Sequence, residues 1–219
     1  MVERCACISL RTVGKLKNGG LMEIKNKKVI LRDFIESDID DFIRWMTVET
    51  EWQLWDAPWE SEEESTFDEE KYRKDKLEWL EQKKDENRIR RSFQICISDE
   101  CRKHIGWCNS YDIDENYNYT NDDGLCTIGI DIPDLSVRHR GYATTSWKIF
   151  IDYLSSNGFE EIYTQTWSGN ERVIGLINKI GFEECKRKTG IRTVRGKSYD
   201  GLTFKLNREK YEEFNAKIR

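Results

Sequence analysis

Apolar and polar positions alternate in a readable order from residue 28 onward. Val29, Ile30 and Leu31, between Lys28 and Arg32, form a short strand. Ser37 then stands where a helix is capped, and Ile39, Phe42, Ile43 and Met46 recur at i, i+3, i+4 and i+7 on one face. Residues 50–60 carry Trp52, Trp55 and Trp59 around Asp56 and Pro58, the pattern of an aromatic loop or broken helix. An acidic run over 60–70 leads into a polar helix anchored by Tyr72, Leu77, Trp79 and Leu80. Residues 92–98 and 104–112 alternate as two strands across a turn at 99–103, and a polar excursion over 114–123 separates them from a strand at 125–132.

A loop ending at Gly141 opens a helix with Trp147, Phe150, Ile151 and Leu154 on its apolar face, and Asn157-Gly158 stops it. Residues 161–167 read as a strand. Residues 170–180 read as a helix aligned on Val173, Leu176, Ile177 and Ile180 and ended by Gly181. Two last strands, 182–188 and 201–206, flank a basic connection. Strands pair first with each other and then alternate with helices, which predicts one mixed α/β (α+β) domain over 22–219 with a largely antiparallel front half. Residues 1–21 have no periodicity and read as a flexible or artefactual extension.

Composition narrows the function. Of 219 residues, 36 are Lys or Arg and 41 are Asp or Glu; the net charge of -5 argues against a nucleic-acid partner. No apolar run is long enough for a membrane span. The seven cysteines are scattered without a CxxC pair, and there are only two histidines. That disfavours a metal site and fits free thiols in a reducing cytoplasm.

Two motifs mislead. Residues 190–198 imitate a phosphate-binding loop, but five residues rather than four separate Gly190 from Gly196-Lys197-Ser198, and the segment lies between strands. A solvated hairpin fits it better, although a nucleotide site there remains an alternative. Asp112, Asp114, Asn116 and Asn118 imitate a calcium loop, but Tyr117 occupies the glycine position and Asp123 the bidentate Glu position.

The informative stretch is Thr127-Ile128-Gly129-Ile130-Asp131-Ile132, then a short loop, then Arg138-His139-Arg140-Gly141-Tyr142-Ala143-Thr144 opening a helix. A glycine turn at a helix N-terminus gathers unpaired amides, and the dipole with two arginines adds the positive potential that suits a pyrophosphate. An ordinary capped helix with surface arginines is the other reading.

Arg138-x-x-Gly141-x-Ala143 resembles the acyl-CoA signature of the GNAT N-acetyltransferase superfamily. The strand over 127–132, Asn170 followed by Gly181-Phe182, and the opening Val29-Ile30-Leu31-Arg32 resemble its ribosomal-protein-acetyltransferase branch, over about residues 23–207. The resemblance implies a central, mostly antiparallel sheet of six or seven strands with splayed central strands and about four helices. It implies acetyl transfer from acetyl-CoA to a primary amine by direct attack in a ternary complex, with no metal. Backbone near Asp131 and Ile132 would hold the pantetheine arm. Arg138, His139, Arg140, Gly141, Tyr142, Ala143 and Thr144 would take the pyrophosphate, and Asn170 would reach the arm from the far side.

The chain departs from that pattern. Thr127 stands where relatives often place a Glu, Val173 where some place a Ser, and Ile177 where many place a Tyr. Asp131 is the remaining candidate base; a solvent-facing residue at the strand's edge is the plain alternative. Trp52, Trp55, Trp59, Trp107 and Tyr111 would line the acceptor groove, unless they are core. Asp56, Glu60 and Glu62, Glu63 and Glu64 would draw a cationic acceptor, unless they are only a solvated face. A polyamine, an aminoglycoside or a basic protein N-terminus each fit, and a homodimer is open. The missing Glu, Tyr and Ser keep a second reading in view, a non-catalytic acyl-CoA-binding module.

Overall fold

A computed structural model describes residues 21–59, 67–82 and 88–217. Nine strands form one sheet: β1 (Glu23–Lys25), β2 (Val29–Arg32), β3 (Ser92–Ile97), β4 (His104–Ile113), β5 (Tyr119–Thr120), β6 (Leu125–Asp131), β7 (Tyr163–Trp167), β8 (Phe182–Val194) and β9 (Lys197–Leu206). Their order is β1-β2-β3-β4-β6-β7-β9-β8, with β5 paired to β4. Every pairing is antiparallel except β6 with β7. That exception follows from the connection: helix α3 (Tyr142–Ser156) carries the chain back over the sheet between the two strands. The other helices are α1 (Asp38–Thr47), α2 (Glu69–Glu81), α4 (Glu171–Ile180) and α5 (Arg208–Lys217).

The main core lies between α3 and one face of the sheet. Trp147, Phe150, Ile151 and Leu154 of α3 pack with Val29, Leu31, Phe93, Ile95, Cys108 and Ile128, all fully buried. Trp107 precedes Cys108 on β4, so it projects to the opposite face. There its ring meets Phe42 at 5.4 Å, Trp45 at 5.8 Å and Trp52 at 5.3 Å. Beneath this aromatic cluster lies a charged one. Arg32 makes two 2.6 Å bonds to Asp38, and His104 Nδ1 lies 3.0 Å from Asp41. Asp38, Asp41 and His104 stand close enough to share an ion, but Asp38 already takes both guanidinium nitrogens of Arg32.

The mixed α/β class stands, and the sheet is wider than six or seven strands. The connection between the last two strands is itself ladder: Arg192 pairs with Tyr199 and Val194 with Lys197, so a long ribbon turns at Arg195-Gly196. Irregular register between Lys188 and Arg192 breaks the period-two signal there. Helix α5 lies beyond the family-like region and has little apolar pattern. It is held by buried Tyr211 and Phe214, with Tyr211 donating to Asp152 at 2.7 Å. Ser37 occupies the N-cap of α1 without a side-chain bond; Asp38 instead accepts from the Ile35 amide at 2.9 Å. Asp114 accepts from the Asn116 and Asn118 amides, which makes the calcium-like stretch a polar turn.

Among the described residues Cys96, Cys101, Cys108, Cys126 and Cys185 are free thiols, and no helix is long and apolar enough to cross a membrane. The expected extension at 1–21 lies, apart from Leu21, outside the described residues.

Asp38 is 1% exposed, so removing Arg32 takes the bidentate cationic partner from a buried carboxylate and leaves it the Ile35 amide and His104. Arg32→Leu is expected to lower the free energy of unfolding by about 3–5 kcal/mol, read from the urea midpoint. A midpoint within error of the parent would show that the pair does not support the fold.

Candidate active site

The site begins where β6 and β7 part. Their ladder has a single register pair, Thr127 with Tyr163. The Thr164 hydroxyl donates to the Ile128 carbonyl at 2.9 Å, and beyond that point the strands diverge. Each strand is paired on its other side, β6 to β4 and β7 to β9, so neither can turn to close the gap. The backbone edges of residues 129–132 and 164–167 therefore face a cavity of about 1010 Å³. Trp147 fixes one wall by donating from Nε1 to the Gly129 carbonyl at 3.3 Å.

Asp131 lies at the open end of β6. The β4–β6 register runs unbroken from Ile113–Leu125 to Trp107–Asp131. Thr127 and Asp131 therefore share a face, and Asp131 lines the cavity. Gly106 secures this placement, since a Cβ there would lie 2.0 Å from the Asp131 carbonyl oxygen. Thr127 is fully buried and donates to Leu125, so its hydroxyl is not presented to the cavity. Asp131 as a whole is half-buried, with its carboxyl on the buried side. Burial first, and then the charge of Asp56, raise its pKa well above the ordinary carboxylate value.

At the mouth, Gly141 caps α3 with φ +77°, a left-handed conformation that favours glycine. Gly141, Tyr142, Ala143 and Thr144 line the cavity with Arg138, His139 and Ile132. Arg140 is exposed and does not line it. Lys28, on the approach to β2, supplies a cation that sequence reasoning missed. A Cβ on Gly141 would lie 3.1 Å from its ammonium, which also sits over the Tyr142 ring at 5.6 Å.

Glu51 was missed as well, and it joins three parts of the site. It forms ion pairs with Arg138 at 2.5 Å and Arg172 at 3.0 Å, and accepts from Trp55 Nε1 at 2.9 Å. Burial works against its charged form, but these three partners outweigh it and hold the carboxyl below its usual range. Arg172 also covers the Trp55 ring at 3.9 Å. The only sequence hint was the i, i+4 spacing of Glu51 and Trp55.

Two expectations change with these contacts. Asn170 borders the cavity, but its amide is already engaged: Oδ1 accepts from the Val173 amide at 3.2 Å and Nδ2 donates to the Trp55 carbonyl at 2.7 Å. Trp167 Nε1 reaches that same carbonyl at 2.8 Å. Trp52, Trp55, Trp59 and Tyr111 line the cavity, whereas Trp107 does not, because its ring is surrounded by Phe42, Trp45 and Trp52. Glu60 and Glu62 to Glu64 fall outside the described residues. The described lining holds two carboxylates, Asp56 and Asp131, against Arg138, Arg172, Lys179, Lys188 and Arg192.

Residues 28–183 match the family model "Acetyltransferase (GNAT) domain", more than half of the chain. The chain belongs to the GNAT acetyltransferase family. A GNAT-family acetyltransferase from Bacillus anthracis superposes with a TM-score of 0.62 at 15% identity, covering 86% of this chain and 99% of its own. RimL, a ribosomal L7/L12 alpha-N-protein acetyltransferase solved with coenzyme A, gives 0.62 at 13%, covering 84% and 96%. A spermidine N-acetyltransferase SpeG chimera from Vibrio cholerae and hSSAT gives 0.58 at 16%, covering 84% and 98%. At these identities the likeness is one of fold. No curated protein matches the sequence. The family implies acetyl transfer from acetyl-CoA to an amine.

The raised Asp131 carboxyl carries a stability consequence. The folded chain holds this proton more tightly than the unfolded chain, so ionising it costs stability. That cost begins above the unfolded value of about 3.9 and grows as pH rises toward the folded one. Asp131→Asn removes the cost. Its melting temperature should exceed the parent's at pH 8 and converge with it near pH ~4. A variant no more stable at pH 8 would contradict the raised carboxyl.

Proposed function

We propose that this chain moves the acetyl group of acetyl-CoA to a primary amine by direct attack in a ternary complex. The observation that carries the reading is the parting of β6 and β7 into a cavity whose mouth is the Gly141-led start of α3. The residues present fit acetyl-CoA. Unpaired strand edges suit an amide-bearing arm, and first-turn amides with Lys28 beside them suit a pyrophosphate. When bound, acetyl-CoA supplies an acetyl group activated as a thioester.

Residues 141–144 and Lys28 hold the anionic end, with Arg138 and His139 at the rim. Arg138 contributes mainly through Glu51, by fixing the turn against the 50s segment. Backbone groups near Asp131 and Ile132 orient the arm. Asp131 takes the proton that an ammonium must lose before its nitrogen is nucleophilic. A carboxyl whose pKa is raised by burial and by Asp56 accepts a proton more readily than an ordinary one. No side chain need serve as the acid. Ile177 is buried core, and a thiol of pKa about 8.5 departs with water as proton donor. Trp55, Trp59 and Tyr111 form the acceptor's apolar wall.

Acetyl-CoA is expected to raise the melting temperature, and Gly141→Val to abolish that shift, because valine is strained at φ +77° and meets Lys28. Asp131→Asn should retain the shift while turnover, followed as free thiol release, falls about 100- to 10,000-fold. A shift without thiol release from any amine would identify the non-catalytic module instead.

A further inference from the structure

Charges of both signs line the acceptor side of the cavity. Asp131 enters from β6, and Asp56, whose charge acts on Asp131, from the 50s segment. The β8–β9 ribbon brings Lys188 and Arg192 to the lining. Lys188 is half-buried, and its ammonium is aimed by two neutral acceptors, the Tyr117 carbonyl at 3.2 Å and Asn118 Oδ1 at 2.7 Å. The guanidinium of Arg192, an exposed residue, covers the Trp59 ring at 4.2 Å. Among the described residues neither cation forms a direct ion pair with a carboxylate, and Lys188 acts on the Asp114 carboxylate only as a nearby charge. Arg138 and Arg172, by contrast, are both neutralised at Glu51.

Two cations and two carboxylates lining one aromatic cavity form a receptor for a ligand with both charges. We propose that the acceptor is a primary amine that also carries a carboxylate on an apolar body, with its ammonium at Asp131 and Asp56 and its carboxylate at Lys188 and Arg192. Lys188 and Arg192 are then the specificity-determining residues. A second ammonium in that position would meet two like charges, so a diamine is the disfavoured acceptor. The proposal rests on the acetyltransferase reading above, and it replaces the purely cationic acceptor that the acidic run over 60–70 suggests.

The test uses the full chain, acetyl-CoA and four acceptors on one frame: 4-(aminomethyl)benzoate, benzylamine, 4-(aminomethyl)benzylamine and 4-(aminomethyl)phenylphosphonate. The carboxylate should exceed benzylamine in kcat/KM by about 10- to 100-fold, the gain from a charge-assisted bond to a fixed partner, and the diamine should fall below benzylamine. A phosphonate that outpaces the carboxylate would overturn the choice of anion. In the double variant Lys188→Gln with Arg192→Gln, shown to be folded by its melting transition, the carboxylate preference should shrink to within about twofold. Benzylamine or the diamine matching the carboxylate, or a preference that survives in the double variant, overturns the proposal alone. Thiol release from none of the four overturns the acetyltransferase reading along with it.

Discussion

The site depends on two parallel strands that share one register pair and then separate. A parallel pair needs a crossover, and α3 supplies it. Because β4 and β9 already occupy the outer edges of β6 and β7, the separation leaves backbone groups that no neighbouring strand can satisfy. Such an opening persists only if something else holds its walls. Thr164 ties the base of the gap to Ile128, Trp147 ties one wall to the helix above, and Gly106 admits β6 closely enough to fix Asp131. The same crossover places the N-terminus of α3 at the mouth. Unpaired strand edges and an electropositive helix start are thus two results of one topological choice.

Glu51 extends this arrangement to the 50s segment, which lines the cavity. Through Arg138 it meets the glycine turn, through Arg172 the first turn of α4, and through Trp55 its own wall. Asn170 and Trp167 then hold the Trp55 carbonyl from β7 and α4. Four contacts from outside thus converge on Glu51 and Trp55, in and just after a short 3-10 turn, Thr50–Leu54, that buries none of its residues. That stretch of the cavity wall is therefore fixed by the elements that border the gap. Asp131 carries the complementary burden. Its carboxyl is buried and feels the charge of Asp56, so it is destabilising when ionised.

Much of this was readable in the sequence where the signal is local. The period-two pattern of β6 put Thr127 and Asp131 on one face, and Gly141 announced the helix start through its neighbours. The helical spacing of Val173, Leu176, Ile177 and Ile180 fixed α4. What was not readable depends on partners far away in the chain. Nothing near Glu51 or Lys28 signals the turn at 138–141. Asn170 looked free because its acceptor, the Trp55 carbonyl, lies 115 positions earlier. Trp107 looked like a groove residue because its alternation points to the correct face, but only the packing shows that Phe42, Trp45 and Trp52 already cover it. Helix α5 escaped notice because two buried aromatics give too short a pattern to compete with its charged surface.

The central claim is that the unpaired edges between β6 and β7 and the start of α3 together receive acetyl-CoA. Amide hydrogen exchange, with and without saturating acetyl-CoA, tests it most directly. Slower exchange is expected at residues 129–132, 164–167 and 141–145, with little change in α5. Slowing confined to the β8–β9 turn at residues 190–198, with the β6–β7 gap unaffected, would contradict it.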